Sequence, residues 1–123
     1  MQLRMTQQTR RVLFATRSLG HATNSQILAE VRHQLPDLSA TTVHRITNRL
    51  IMAGLLKYGP ELNGSKIIDA NTIPHDHFIC DACSGIKDIY ISQHSRRELQ
   101  KQVDSLVISS RLTITGECTQ CIS

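Results

Sequence analysis

The four cysteines constrain the fold more than any other feature of this sequence. They form two pairs, Cys80-x-x-Cys83 and Cys118-x-x-Cys121, and no cysteine is left over. A CxxC turn places two thiolates on one side of a tight loop, and two such turns complete a tetrahedron of soft ligands suited to Zn²⁺. The sequence therefore predicts a closed, structural zinc site that ties the first pair to the second.

Two other uses of paired cysteines explain this pattern less well. A redox dithiol needs only one CxxC, beside a βαβ pattern that is absent here. Structural disulfides are unusual in a chain without a secretion signal, and residues 1–8 lack the apolar stretch of a signal peptide. No apolar run approaches the roughly 20 residues that span a bilayer. We expect a soluble, cytoplasmic protein with no membrane partner.

Basic residues are concentrated in the first part of the chain. Residues 1–70 contain nine Lys/Arg and four Asp/Glu, whereas residues 71–123 contain five and six. A basic lobe beside a nearly neutral one is typical of a protein whose first part binds the phosphates of nucleic acid, although an ordinary solvated surface explains the same charges. The expected domains are 1–70 and 71–123.

Three helices are predicted in the first domain. Each is preceded by a residue that can cap it, namely Thr6, Thr23 and Ser39. Apolar residues then recur at helical spacing as far as Leu19 in the first helix, Leu35 in the second and Leu50 in the third. Gly20, Pro36 and Gly54 are the expected ends of these helices.

A hairpin is predicted after the third helix. Two short apolar runs, 55–58 and 66–69, flank the turn-rich segment 59–65. Three helices followed by a hairpin is the order of a winged helix-turn-helix, in which the third helix reads DNA.

Polar and basic side chains are expected on the outer face of the third helix and on the hairpin. The candidate DNA-binding residues are Thr42, His44, Arg45, Asn48 and Arg49 in the helix and Lys57 and Lys66 in the hairpin. These groups can bind phosphates and base edges. Any amphipathic helix has a polar outer face, so polarity alone does not indicate DNA binding. The position of a basic face on the last helix before the hairpin does favour it.

The second domain is expected to be a small α/β lobe. Residues 77–80 and 86–91 are predicted strands, 95–103 is compatible with a helix, and apolar runs cover 106–108 and 111–115. The predicted fold class is therefore α+β, a winged helix-turn-helix followed by this lobe.

Histidines precede the first cysteine pair in the motif His75-Asp76-His77. Residues two apart on a strand share a face, so the two histidines can bind one metal ion while Asp76 points the other way. Asp69, Asp88 and His21 are further N/O donors, which suit Fe²⁺ or Mn²⁺ as well as zinc. A pair of surface histidines would explain the same spacing, and spacing does not bring His21 to the others.

Together these motifs resemble the ferric uptake regulator (Fur) family of bacterial repressors, over nearly the whole chain. The similar segments are Arg4-x-Thr6-x-Gln8 before Val12-Leu13, Leu38-Ser39-x-x-Thr42-Val43-His44-Arg45, Gly54-Leu55-Leu56, His75-Asp76-His77-Phe78-Ile79-Cys80-x-x-Cys83 and Gly116-x-Cys118-x-x-Cys121. The HxH–CxxC stretch is the most specific of them. The chain departs from the family at Thr9 (usually Arg), Thr41 (usually Ala), His44 (usually Tyr) and Pro74 (often His).

The resemblance implies a dimeric, metal-dependent repressor that binds a double-stranded DNA operator. It also implies that the α/β lobe is the dimerisation domain, and that a regulatory metal site, for Fe²⁺ or Mn²⁺, bridges the two domains. Its ligands would be His21, Asp69, His75, His77 and Asp88. Aspartates at both acidic positions resemble the peroxide-sensing branch of the family, in which Fe²⁺ reacts with peroxide, a histidine ligand is oxidised and repression is lost.

Other functions remain open at this point. An uptake regulator for iron, manganese or zinc would share the same sites without a redox role. A zinc-stabilised adaptor or RNA-binding module would use the basic lobe without sequence preference. No nucleophile–base arrangement is evident, so an enzyme is not expected.

Overall fold

The computed structural model of the chain describes residues 3–104, 108 and 111–121. It consists of two compact units, Met1–Thr72 and Ile73–Ser123. Within the described residues, no helix is long and apolar enough to cross a membrane.

Three helices form the first part of the first unit. They are α1 (Gln7–Leu19), α2 (Asn24–Val31) and α3 (Ala40–Met52). The three predicted caps are confirmed: the hydroxyls of Thr6, Thr23 and Ser39 each accept the N–H of the residue three positions later at 3.2 Å. Each cap satisfies a backbone donor that a helix start would otherwise leave exposed.

The helices bury one apolar cluster. Its most buried members are Val12, Ile27, Val43 and Leu50, to which the buried Leu56 and Ile68 are added after α3. A core of this kind supplies most of the stability of such short helices.

Two details of the predicted helices were wrong. Leu19 is 41 % exposed rather than part of the core face, because it is the last residue of α1 and the chain reverses at Gly20, whose φ is 77°. Helix α2 ends at Val31, so the half-buried Leu35 packs from the turn that follows. Pro36 disfavours helical backbone at Leu35, so that residue cannot extend the helix.

The hairpin is longer than predicted. Strands β2 (Lys57–Leu62) and β3 (Ser65–Asp69) are joined by Asn63 and Gly64 alone, both at positive φ, as in the two-residue turns that match strand twist. Most of the predicted loop 59–65 is therefore strand. A register shift between Tyr58 and Glu61 accommodates Gly59 and Pro60, since proline has no N–H to donate to a regular ladder.

A short strand that the sequence did not indicate completes this sheet. Strand β1 (His21–Ala22) pairs antiparallel with β3, which gives the order β1-β3-β2. Three helices with a hairpin and this extra strand form a winged helix.

The described part of the second unit is a three-stranded sheet with one helix. Its elements are β4 (Asp76–Cys80), β5 (Ile86–Ile89), α4 (Gln93–Val103) and β6 (Thr113–Gly116). The strand order is β5-β4-β6, with β4 antiparallel to β5 and parallel to β6.

This unit confirms the predicted α+β fold class with small shifts of its elements. Strand β5 ends two residues earlier than predicted, and α4 begins at Gln93 because Ser92 caps it. Residues 106 and 107 of the predicted run 106–108 lie outside the described residues.

Candidate metal centres and DNA-binding face

The four cysteine sulfurs converge in the second unit, all within 4.8 Å of one another. The Sγ–Sγ distances are 3.8 Å for Cys80–Cys121 and for Cys83–Cys118, and 3.3 Å for Cys118–Cys121. Four thiolates placed tetrahedrally about 2.3 Å from a zinc ion lie about 3.8 Å apart. The cluster therefore fits zinc, and with four sulfur ligands it leaves no position for substrate.

The parallel pairing of β4 with β6 brings the two cysteine pairs together. Cys80 lies opposite Gly116 in the sheet register. Because parallel strands run in the same direction, the turns that follow them meet at the same end of the sheet. Each turn carries one CxxC pair, so the sheet itself brings the two pairs together.

Backbone N–H groups prepare one of these sulfurs for metal binding. The N–H groups of Cys83 and Cys118 donate to Cys80 Sγ at 3.4 and 3.3 Å. These bonds favour the thiolate and lower the pKa of Cys80 to about 6. Hydrogen bonds with Cys118, Cys83 and Cys80 have the opposite effect on Cys121 and raise its pKa to about 12.

A second group of donors lies in the same unit, on strands β4 and β5 and at the residue directly before β4. His75 Nε2 is 3.0 Å from His77 Nε2 and 3.2 Å from Asp88 Oδ1, and His77 Nε2 is 3.5 Å from the same carboxylate oxygen. Two ligand atoms at right angles, each about 2.1 Å from one ion, are about 3.0 Å apart. This spacing fits nitrogen and oxygen ligands around a single divalent cation.

Strand geometry explains the group. His77 lies on β4 and His75 directly precedes the strand, with both side chains on the same side, as the period of two predicts, and Asp88 is the cross-strand partner of His77. His75 Nδ1 lies 2.5 Å from the carbonyl oxygen of Ile73. A carbonyl only accepts, so Nδ1 carries the proton and the Nε2 lone pair is available to a metal.

The first unit holds the other two predicted ligands as a pair. His21 on β1 and Asp69 on β3 are direct partners in the sheet, and His21 Nε2 is 3.5 Å from Asp69 Oδ2. The N–H of Asn71 donates to the other carboxylate oxygen, Oδ1, at 2.9 Å. Asp69 is thus buried and oriented, with Oδ2 directed to the histidine.

Asp76 has a structural partner that sequence reasoning missed. Its buried carboxylate pairs with the guanidinium of Arg96 on α4 and accepts the N–H of Leu112 at 3.0 Å. Burial raises the pKa of Asp76, but these bonds outweigh burial and hold the pKa below its ordinary value. An acid on the inner face of a strand was the available signal, but its partner is twenty residues away in the chain.

The face of α3 opposite the core carries most of the candidate DNA-binding groups. His44, Arg45, Asn48 and Arg49 are exposed. Thr42 is half-buried, and its hydroxyl shares a hydrogen bond with Ser39 Oγ at 2.9 Å. Thr42 therefore belongs to the cap as well as to the outer face.

The wing contributes one residue that sequence reasoning did not single out. The hydroxyl of Tyr58 on β2 donates to Asn48 Oδ1 at 2.8 Å, and Lys66 Nζ lies 4.7 Å from the centre of the tyrosine ring. An aromatic side chain between two candidate contacts was visible in the sequence, but its reach across to α3 was not.

Comparisons with known proteins agree on one family. The sequence profile of the Ferric uptake regulator family matches residues 1–114. Ferric uptake regulation protein 1 of Mycolicibacterium fortuitum is 33 % identical over 88 residues, which cover 71 % of this chain but only 55 %, about half, of that relative. The peroxide-responsive repressor PerR of Staphylococcus aureus is 28 % identical over 122 residues, which cover 97 % of this chain and 82 % of that protein.

A solved structure supports the fold. The ferric uptake regulator from Francisella tularensis with iron has a TM-score of 0.77 to this chain at 23 % identity, covering 98 % of this chain and 96 % of the other. At that identity the likeness concerns the fold.

Proposed function

The chain belongs to the ferric uptake regulator family, and on that premise we propose that it is a metal-dependent, DNA-binding transcriptional repressor that acts as a dimer. The observation that carries the proposal is the second donor set. His75, His77 and Asp88 converge in a unit whose structural metal site is already complete with four thiolates. Because the four thiolates already supply the structural metal site, these three donors are available for a metal ion that exchanges with the solution.

DNA binding is assigned to α3 and the wing. In a dimer, two such helices can enter successive major grooves of a palindromic operator. The proposed contacts are Thr42, His44, Arg45, Asn48, Arg49, Lys57 and Lys66. The basic excess of residues 1–70 supports this assignment, because neutralised phosphates supply much of the affinity of such proteins.

The regulatory site is proposed to take ligands from both units. His21 and Asp69 offer two donors, and His75, His77 and Asp88 offer three, so neither set alone fills the coordination of Fe²⁺ or Mn²⁺. A shared ion would favour the conformers in which a dimer fits its operator. Without it, the affinity for DNA falls in proportion to the fraction of competent conformers.

Peroxide sensing is a second candidate, favoured by the two aspartates in the donor set. Bound Fe²⁺ would supply the electron that hydrogen peroxide accepts, a reaction that Mn²⁺ supports far more slowly. The imidazoles of His21, His75 and His77 are the oxidisable groups of the proposed site. Uptake regulation of iron, manganese or zinc without this reaction is the alternative.

Removal and return of the exchangeable metal tests the main proposal. A mild chelator is applied under conditions that retain the zinc, Mn²⁺ is added back, and DNA duplexes are selected from a randomised pool. We expect selection only with Mn²⁺ for the wild type and for His94→Ala, whose histidine lies on α4 outside both donor sets. His77→Ala should select nothing while keeping its zinc. Binding that ignores both chelator and DNA sequence would instead favour an adaptor or an RNA-binding module.

A further inference from the structure

A hydrogen bond connects the wing to the exposed face of α3. Tyr58 on β2 donates its phenolic hydrogen to Asn48 Oδ1 at 2.8 Å. Asn48 is exposed on α3, and Tyr58 is 40 % exposed. The bond therefore lies on the face assigned to DNA rather than in the core.

This bond changes what Asn48 can offer a base. A free asparagine side chain can turn its amide over and present either its carbonyl oxygen or its NH₂ group. To read adenine it presents both, accepting from N6 and donating to N7. With Oδ1 held by Tyr58 in the wing, the NH₂ group is the part of the amide directed away from the wing.

The tyrosine ring is itself held in place. Lys66 Nζ on β3 lies 4.7 Å from the ring centre, within the range of a cation–π contact. Lys66 thus contacts the face of the ring, whereas the hydroxyl group makes the bond to Asn48. The two contacts of Tyr58 can be removed separately by mutation.

We propose that Tyr58 is a positioning residue for sequence reading: it holds the Asn48 carbonyl, so that the Asn48 amide meets the major groove as a hydrogen-bond donor. The base class that fits is guanine, because its N7 and O6 are both acceptors, whereas the N6 group of adenine would face another donor. The inference rests on the proposed function and adds to it one specificity-determining pair.

The test compares base preferences rather than overall affinity. Metal-loaded wild type, Tyr58→Phe, Asn48→Ala and the double variant each select from the same randomised duplex pool. We expect the wild type to favour guanine over adenine at one position of each half-site. Tyr58→Phe should reduce that preference by about 2- to 10-fold, the effect of one neutral hydrogen bond, with an unchanged melting temperature.

Two comparisons identify the route of the effect. The double variant should behave as Asn48→Ala does, because Tyr58 acts only through Asn48. Lys66→Met removes a charge and the contact with the ring face but leaves the hydroxyl, so it should weaken binding to all sequences and lower the salt dependence, with a smaller loss of base preference than in Tyr58→Phe.

The outcomes distinguish the positioning role of Tyr58 from the proposed DNA-binding function. Selection of the same bases by Tyr58→Phe and the wild type would overturn the positioning role, as would effects that add in the double variant, since Tyr58 would then touch DNA itself. If no variant, the wild type included, enriches any sequence, the proposed function fails and the inference falls with it.

Discussion

Arg96 of helix α4 pairs with Asp76, the buried first residue of strand β4, which lies between His75 and His77. The same carboxylate accepts the backbone N–H of Leu112, just before β6. One side chain on the face of β4 opposite the histidines therefore connects the strand to both the helix and the neighbouring strand segment. The position of the histidine strand depends on this pair.

Loss of the arginine should destabilise the second unit. Arg96→Met leaves a buried carboxylate without its cation, and breaking a buried pair in this way costs about 3–5 kcal/mol. Arg97→Met, which removes an exposed charge from the next position of α4, should change the free energy of unfolding by no more than about 0.5 kcal/mol. Urea unfolding of the zinc-loaded proteins measures both, and equal values would refute the role assigned to the pair.

Loss of one zinc ligand should unfold the same unit. A structural zinc site contributes on the order of 10 kcal/mol to folding, so Cys80→Ser should release the zinc and dissociate the dimer. Metal analysis and sedimentation measure the two effects. A variant that stays dimeric, with the melting temperature of the wild type, would show that the cysteines do not form a structural zinc site.

The affinity of the four cysteines for zinc should fall as the pH falls. Zinc binds thiolates, so protons compete with it, and its affinity falls as the pH falls. Cys121, with a pKa of about 12, must give up a proton to zinc at neutral pH, whereas Cys80, with a pKa of about 6, is already ionised. The loss of affinity should therefore steepen below about pH 6, where Cys80 also takes up a proton. Competition with a chromophoric chelator across pH 5–8 measures it, and a flat profile would contradict the assignment.

Arg45→Ala should abolish operator binding while metal content and dimerisation stay intact, because Arg45 is exposed on α3, outside the core face. Arg17→Ala removes the same charge from the last turn of α1 and serves as the control. Lys57→Ala should weaken binding evenly across sequences and lower its salt dependence. Wild-type affinity in Arg45→Ala would mean that α3 is not the reading helix.

The peroxide hypothesis is tested at Asp88. If the site binds Fe²⁺, peroxide should add an oxygen atom to the peptide of His21 or His75 and release the DNA, while the Mn²⁺ form stays bound. Asp88→Glu should keep metal-dependent binding and blunt the response to peroxide. Mass spectrometry of both peptides decides the matter: no oxygen gained, with DNA binding retained, would make the protein a sensor of metal alone.

Local signals in the sequence predicted much of the fold. Thr6, Thr23 and Ser39 identify helix starts because a cap acts within three residues of itself. The spacing of His75 and His77 placed them on one face because a strand alternates with a period of two. Such rules need no knowledge of what lies across the sheet.

Contacts between distant segments could not be predicted in this way. Strand β1 has two residues, too few to show a period, so the pairing of His21 with Asp69 was invisible without the resemblance to a family. Arg96 is one of several basic residues on α4, and nothing local distinguishes it as the partner of Asp76. The bond from Tyr58 to Asn48 joins β2 to a residue ten positions earlier on α3, and no local pattern in the sequence marks that pair.

The parallel pairing of β4 with β6 also determines when the second unit can mature during synthesis. Cys83 and Cys118 are 35 residues apart, so the first cysteine pair leaves the ribosome about two to seven seconds before the second at ordinary rates of elongation. In that interval two thiols are exposed without the strand that completes their site. A chain that stops before Cys118 has only half of the zinc ligands, so zinc loading separates chains translated through Cys121 from shorter ones.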